Sequence, residues 1–281
     1  MGAQVFAAVI AAAVMHAVWN ALVKGSSDKA LSMGAVALGH LPLALVLMPL
    51  VPKPDAASLP YLVVGIVLHF GYQLFLIKSY EVGDLTQVYP IARGSAPLLV
   101  AAVSFLVLGE PLSATELTAV AAIALGIISL SIVRRRDDGS SGHAAVLAVV
   151  TGVFIASYSI IDGYGARVAG TSLGFYCWLA LGNAALMAAY LGLWRPQALA
   201  DMPGKGLRLF LVGGTMSFVA YALVIWSFTQ APIALVTALR ETSIIIALLI
   251  GVVFLNERLS LLKLLSTLLT LFGAVLLRWA R

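Results

Sequence analysis

Ten stretches of predominantly apolar residues, each close to twenty long and separated by short polar breaks, run the length of the chain. They lie near 4–24, 30–51, 59–79, 85–107, 113–133, 144–165, 171–194, 206–229, 233–254 and 260–279. About 20 apolar residues are needed for a helix to cross the hydrocarbon core of a bilayer. The other structure that satisfies its backbone inside lipid is a closed β-barrel. Barrel strands are short and alternate in polarity, whereas these runs are long and rich in alanine and leucine. The pattern therefore predicts an all-α integral membrane protein of ten transmembrane helices. Ser113-Ala-Thr-Glu116 has the spacing of a capping box and predicts the start of the fifth helix.

Composition supports this assignment. The chain of 281 residues is 62% hydrophobic and 10% charged, against about 25% charged in soluble domains. A net charge of +5 does not point to nucleic acid, because the basic residues are scattered singly between apolar runs. The single cysteine, Cys177, excludes an internal disulfide, and the four histidines form no metal-ligand cluster, so no metal and no cofactor is implied. The first 24 residues carry His16 and Asn20 and lack a basic leader, which predicts a retained helix rather than a cleaved signal.

The chain repeats itself. Tyr-Pro-Ile-Ala-Arg at 89–93, an apolar run and then Leu-Gly-Glu-Pro-Leu-Ser at 108–113 are answered by Val236 to Ser260, which ends Leu-Asn-Glu-Arg-Leu-Ser. Arg93 matches Arg240 and Glu110 matches Glu257, both 147 residues apart, and Gly126 matches Gly273 at the same offset. Ala37-Leu-Gly-His40 resembles Ala180-Leu-Gly-Asn183, and Ala17-Val-Trp-Asn20 resembles Ala156-Ser-Tyr-Ser159. The polar linker from Arg134 to Gly142 separates a first five-helix repeat (1–136) from a second (143–281). An odd number of spans per repeat makes the second copy enter the membrane from the opposite side, an inverted pair of the kind found in secondary transporters. Lys and Arg in the loops after odd-numbered helices outnumber those on the other side by eleven to four, which predicts termini outside the cytoplasm.

The five-plus-five repeat, Gly109-Glu-Pro-Leu112 and Asn256-Glu-Arg-Leu259 at the ends of the fourth and ninth helices, and the glycines late in the fifth and tenth resemble the drug/metabolite transporter superfamily, in particular its EamA-type ten-helix members. The resemblance covers nearly the whole chain. It implies a multi-pass protein of a cell membrane, the bacterial inner membrane for such members, with a central cavity among helices one, three, four, six, eight and nine. It implies export or exchange of small metabolites or drugs, coupled to protons or another gradient. It also implies termini on the cytoplasmic side, the reverse of the charge count.

Within the bilayer, polar and ionisable residues mark candidate function. Arg93 and Arg240 lie about a third of the way into their helices, and a guanidinium fork suits a carboxylate or phosphate. Arg93 has no carboxylate neighbour within a turn of its own helix, whereas Arg240 adjoins Glu241. Both arginines therefore read either as a clamp on an anionic group or as neutralised ties between helices. His16 and Asn20 share one face of the first helix with Trp19 beside them. Tyr72 and Gln73, near His69, mark the third helix, Tyr158 and Asp162 the sixth, and Tyr221 and Trp226 the eighth. Tyr89 and Thr237 accompany the two arginines. These twelve positions outside the acids form the candidate substrate-binding set. Each also has a plainer reading as an interhelical hydrogen bond. Glu241 and Asp162 are the candidate coupling acids, with Asp162 placed near a helix end. Pro90 and Pro97 predict a fourth helix more broken than the ninth, which has Pro232 only at its start. Glu110 and Glu257 are expected to cap the helix that follows each.

These features predict a secondary transporter of a small anionic or zwitterionic metabolite, such as an amino acid or organic acid, working by alternating access. The partners expected are a small-molecule substrate, the lipid bilayer and protons as coupling ion; one chain suffices for a cavity, so a monomer is expected. A proton-coupled multidrug or cation exporter using Glu241 and an aromatic wall is the alternative. A lipid-linked sugar flippase is a second. An enzyme is not expected, because no catalytic set occurs at useful spacing.

Overall fold

The computed structural model describes residues 1–24, 26, 28–82, 85–132, 141–246, 249 and 261–280. Among these the chain is helical throughout: α1 (Ala3–Lys24), α2 (Lys29–Leu38), α3 (Leu41–Leu47), α4 (Leu59–Val82), α5 (Leu85–Leu106), α6 (Ala114–Ile132), α7 (Ser141–Val168), α8 (Ser172–Trp194), the short α9 (Pro196–Ala200), α10 (Gly214–Gln230), α11 (Ile233–Arg240) and α12 (Leu261–Trp279). Six spans are long and apolar enough to cross a membrane: Ala3–Val23, Lys29–Leu50, Ala56–Ser79, Gly142–Val168, Ser172–Trp194 and Leu209–Gln230. Pro90–Leu106, Ala114–Ser129 and Leu264–Trp279 are shorter apolar helices. All nine fall on segments expected from the hydrophobic pattern. The remaining one, 233–254, lies partly outside the described residues, as do most of the 134–142 linker, Glu257 and the side chain of Tyr89.

Local chemistry sets where helices begin. The Ser113 hydroxyl accepts from Glu116 N–H at 3.2 Å and Glu116 Oε2 accepts from Ser113 N–H at 2.8 Å, the reciprocal pair that the spacing predicts. Asp28 Oδ1 accepts from Leu31 N–H at 2.9 Å at the start of α2, and Thr171 Oγ1 accepts from Gly174 N–H at 3.1 Å at the start of α8.

Three features depart from a plain reading of the pattern. The second span is present as expected but carries a turn: α2 stops at Leu38 and α3 resumes at Leu41 with Pro42 in its first turn. At that break Gly39 and Gly214 pass backbone to backbone, and a Cβ added at Gly39 would lie 2.9 Å from the Gly214 Cα. The proline-bearing helix is the intact one, since α5 runs through both Pro90 and Pro97. The break falls instead in the ninth segment, where α11 ends at Arg240 and Glu241 and Thr242 form a turn. There the N–H groups of Glu241 and Thr242 bond three residues back, to Ala238 and Leu239, and the Thr242 hydroxyl also donates to the Leu239 carbonyl at 2.7 Å. Such tightened turns satisfy the carbonyls that a helix end leaves free. Third, Glu110 does not cap the next helix: its Oε1 accepts from Arg167 Nη1 at 3.0 Å. Arg167 also donates to the carbonyls of Phe228 (2.9 Å) and Ala231 (3.1 Å), tying the ends of α5, α7 and α10 together on the face that carries both termini.

On the opposite face a recess lies between the end of α1, the start of α2 and the loop before α10, lined among the described residues by Asp28, Asp201, Lys205 and Arg208. Lys205 Nζ donates to Asp201 Oδ2 at 2.8 Å, and that bond holds the Asp201 carboxyl below the usual carboxylate range.

The repeat is visible in the packing of α6 on α12. Gly126 of α6 faces Ser266 and Thr270 of α12, and Gly273 of α12 faces Ala119 and Ile123 of α6. The matched glycines thus each let the partner backbone close in, as small residues do in membrane helix pairs. Ser129 and Ser266 hydroxyls meet across the same interface at 2.7 Å. A Cβ at Gly273 would sit 2.7 Å from the Ala119 carbonyl oxygen, whereas one at Gly192 meets nothing within 4 Å. Gly273→Leu is therefore expected to destabilise by about 1–3 kcal/mol through overpacking, and Gly192→Ala to stay within about 0.5 kcal/mol. Thermal unfolding of the two purified variants in the same detergent checks both values; equal melting temperatures would remove this contact from the account of the fold.

Candidate functional site

Between the tied face and the recess, at the mid-depth of the bundle, lies a cavity with an empty volume of about 720 Å³. A water-sized sphere has about 70 Å³ in which to move inside it, room for roughly five waters or one small solute. α1 contributes His16 and Trp19, α4 contributes His69, Tyr72 and Gln73, and α7 contributes Tyr158. The α2–α3 break contributes His40, α8 gives Tyr176 and Asn183, α10 gives Tyr221, and the last residue of α11 is Arg240.

The polar atoms of this wall define it chemically. His40 Nε2, Gln73 Oε1, Tyr176 Oη, Asn183 Oδ1 and Arg240 Nε are all buried and have no hydrogen-bond partner among the described residues. A buried polar atom left without a partner costs about 1–3 kcal/mol, so five converging on one cavity mark a place that water or a polar ligand fills. Aromatic rings frame it. His69 stacks on Tyr158 at 4.1 Å between centroids, Tyr221 meets His69 edge-on at 5.2 Å, and Tyr176 meets Tyr221 at 5.3 Å.

Behind the wall lies a cluster of three charges. Glu241, fully buried, forms an ion pair with Arg93 (Nε to Oε2, 2.6 Å) and accepts from Arg240 Nη2 through Oε1 at 3.4 Å. Arg93 and Arg240 are 2% and 3% exposed. The turn that ends α11 places Glu241 between the two guanidiniums, one from each repeat. Arg93 therefore has its carboxylate, but across the bundle rather than along its own helix, and it does not line the cavity. Arg240 does, with Nη2 held by Glu241 and Nε unpartnered.

A second cluster spans three helices. Asp162 Oδ2 accepts from the Tyr221 hydroxyl at 2.6 Å and lies 2.7 Å from His69 Nε2. Asp162 has no exposed surface, and Gly65 of α4 packs so close to its Oδ1 that a Cβ there would lie 2.6 Å away. Asp162 thus lies in the last two turns of α7, which ends at Val168, near a helix end as expected, but it is buried rather than at the surface.

Of the twelve substrate-binding candidates, His16, Trp19, Tyr72, Gln73, Tyr158, Tyr221 and Arg240 share the cavity. Four others stand elsewhere, and the side chain of Tyr89 lies outside the described residues. Asn20 Nδ2 is spent on the His16 carbonyl at 2.7 Å within its own helix. Trp226 packs against the apolar core. Thr237 is buried away from the cavity, and Arg93 is committed to Glu241. His40, Tyr176 and Asn183 are cavity residues that were not singled out as binding residues. The match of Ala37-Leu-Gly-His40 to Ala180-Leu-Gly-Asn183 was the signal available for His40 and Asn183; Tyr176 had none.

Removing Glu241 alone leaves two arginines facing each other without their acid. Buried charge left without its counter-charge costs about 3–5 kcal/mol, whereas loss of either arginine leaves Glu241 paired with the other. Glu241→Gln is therefore expected to cut the yield of folded protein sharply, and adding Arg93→Gln in the same chain to restore part of it. Gel-filtration profiles of detergent extracts from the single and double variants check this; a single variant that extracts like wild type would show that the pairing carries little energy.

The sequence model of the EamA-like transporter family matches residues 4–132 and, a second time, residues 143–279. A protein of known crystal structure aligns over 100% of this chain and 98% of its own at a TM-score of 0.77 and 18% identity, a likeness of fold. Among curated proteins none is significantly similar in sequence. Two family matches that together take in nearly the whole chain, on a bundle of apolar helices around a polar cavity, make this protein a member of the EamA-like transporter family, within the drug/metabolite transporter superfamily.

Proposed function

We propose that the protein is a secondary transporter of a small anionic or zwitterionic metabolite, such as an organic acid or amino acid. Its substrate binds Arg240 in the central cavity and is carried by alternating access of two inverted five-helix halves within one chain. The observation that carries this reading is the state of Arg240. It pairs with Glu241 through Nη2, its Nε has no partner among the described residues, and it lines the cavity with four other residues that each bury a polar atom likewise unpartnered there. A guanidinium presented in this way offers a carboxylate a charge-assisted bond in a site shielded from water. The volume favours a small solute over a bulky one.

The arrangement speaks against a cation exporter run by Glu241. That acid lies behind the wall with an arginine on each oxygen, so a cation in the cavity would face Arg240 first. The role expected of Arg93 as a clamp on substrate passes to Arg240 for the same reason.

Counterflow into proteoliposomes tests the proposal, using a panel of small monoanions (L-lactate, glycolate, L-pyroglutamate), zwitterions (L-alanine, L-serine) and a quaternary ammonium compound. Hydrogen bonds to charged groups are worth about 1.5–3 kcal/mol, or roughly 10- to 150-fold. Arg240→Ala is expected to reduce uptake of the carried acid or zwitterion by that factor while the protein still inserts at normal abundance. Wild-type uptake in Arg240→Ala, or carriage of the ammonium compound alone, would overturn the assignment of substrate class.

A further inference from the structure

We infer that His69 and Asp162 form the coupling site of this transporter: the pair takes up one proton with each monoanionic substrate, so that anion and proton cross together and no net charge moves. The inference rests on the substrate reading above and adds a coupling ion, a stoichiometry and the residues that hold the proton.

The two acids at the centre of the bundle stand in different settings. Glu241 has an arginine against each oxygen. The partners of Asp162 among the described residues are the Tyr221 hydroxyl and the His69 imidazole, both on the same oxygen. A carboxylate only accepts, so the His69 nitrogen facing it, Nε2, carries a hydrogen. That leaves Nδ1 to bind an incoming proton. His69 lines the cavity with 12% of its side chain exposed, whereas Asp162 is sealed. The proton therefore reaches the pair through the cavity, adds to Nδ1, and makes an imidazolium whose Nε2–H stays on Asp162. It leaves by the same nitrogen when the cavity faces the other side.

Charge balance links this event to substrate. The ionised groups at the cavity and directly behind it, among the described residues, are Arg93, Arg240, Glu241 and Asp162. With His69 neutral they sum to zero. A monoanion on Arg240 brings one uncompensated negative charge into a medium where such charges are expensive. A proton on His69 cancels it. The reverse holds as well: a proton on His69 without the anion adds a positive charge to a cavity that already presents Arg240. The other titratable groups facing His69 do not supply the cancellation. Tyr158 of α7, Tyr221 of α10 and Tyr176 of α8 are phenols, while His40 at the α2–α3 break and His16 of α1 have no carboxylate bonded to them to hold an imidazolium. Each ligand thus raises the affinity for the other, and by the same factor. A zwitterion carries no net charge and does not call for the proton.

Two measurements test this and separate its failure from failure of the substrate reading. In the first, proteoliposomes receive an inward proton gradient, with the monoanions and zwitterions named above as probes. Wild type is expected to accumulate the carried monoanion with the gradient, to acidify the lumen in step, and to ignore an imposed membrane potential. Zwitterion exchange, where it occurs, gains nothing from the gradient. In His69→Gln the ratio of gradient-driven accumulation to counterflow is expected to fall about tenfold or more. An unchanged ratio in that variant, or monoanion uptake in wild type that moves charge, would overturn the coupling site. The second measurement needs no substrate: infrared difference spectra of the purified protein across a pH step. Linked imidazole and carboxylate bands are expected in wild type and absent from both His69→Gln and Asp162→Asn. Spectra unaltered in the two variants would overturn the proposal even if no probe is carried. Absence of counterflow for every acid and zwitterion, with the bands present, would instead count against the substrate reading alone.

Discussion

A guanidinium in the middle of a bilayer has to find a counter-charge there, and this fold depends on that constraint. Arg93 and Arg240 occupy matching positions in the two repeats, and one acid, Glu241, serves both at 2.6 and 3.4 Å. The pairing crosses between the repeats, so burying the charges and docking the halves are one event. It also accounts for the break in the ninth segment. A carboxylate following Arg240 on a regular helix would be rotated about 100° away from it, whereas the tightened turn at Glu241 and Thr242 lets the acid sit between both arginines. The helix gives up regular bonds there, and the i→i−3 bonds and the Thr242 hydroxyl replace them.

The rest of the bundle follows from how closely helices approach around that centre. Gly39 against Gly214 brings the α2–α3 break onto α10, and the break puts His40 on the cavity wall. Gly126 and Gly273 do the same for α6 on α12, away from the site. Arg167 ties three segments on the face with the termini, and the recess beside Asp201 and Lys205 lies on the other.

Much of this was legible in the sequence because it depends on local pattern. Apolar run length gave the spans, spacing gave the Ser113–Glu116 cap, and a constant offset gave the repeat and its paired glycines. The contents of the cavity were half legible: seven of the twelve candidates share it, since a polar or aromatic residue in an apolar helix has few places to go. What escaped was decided by partners far along the chain. Nothing in α5 announces that the acid for Arg93 lies 148 residues on, and Asp162 looked peripheral because Gly163 and Gly165 read as a helix end. In the structure those glycines are packing positions, pressed by Ile233 and by Phe175 with Tyr61, and α7 runs past them. Proline misled for the opposite reason: a lost backbone bond at Pro90 or Pro97 is tolerable inside a bundle whose neighbours hold the helix straight, whereas the charge at Glu241 forces a bend without any proline.

The two repeats match in sequence and differ in charge, and the difference falls on the site. His40 and Asn183 match in the repeat, and both reach the cavity with an unpartnered atom. Arg93 and Arg240 also match, but only Arg240 reaches it. The central acids, Asp162 and Glu241, both belong to the second repeat, while His69, which meets Asp162, belongs to the first. A strictly symmetric pair of repeats would present its ligand with two identical ends, suited to a symmetric ion or to none. Here one wall offers a guanidinium and the other an imidazole backed by a carboxylate. Divergence of the repeats has made the centre polar in a definite direction.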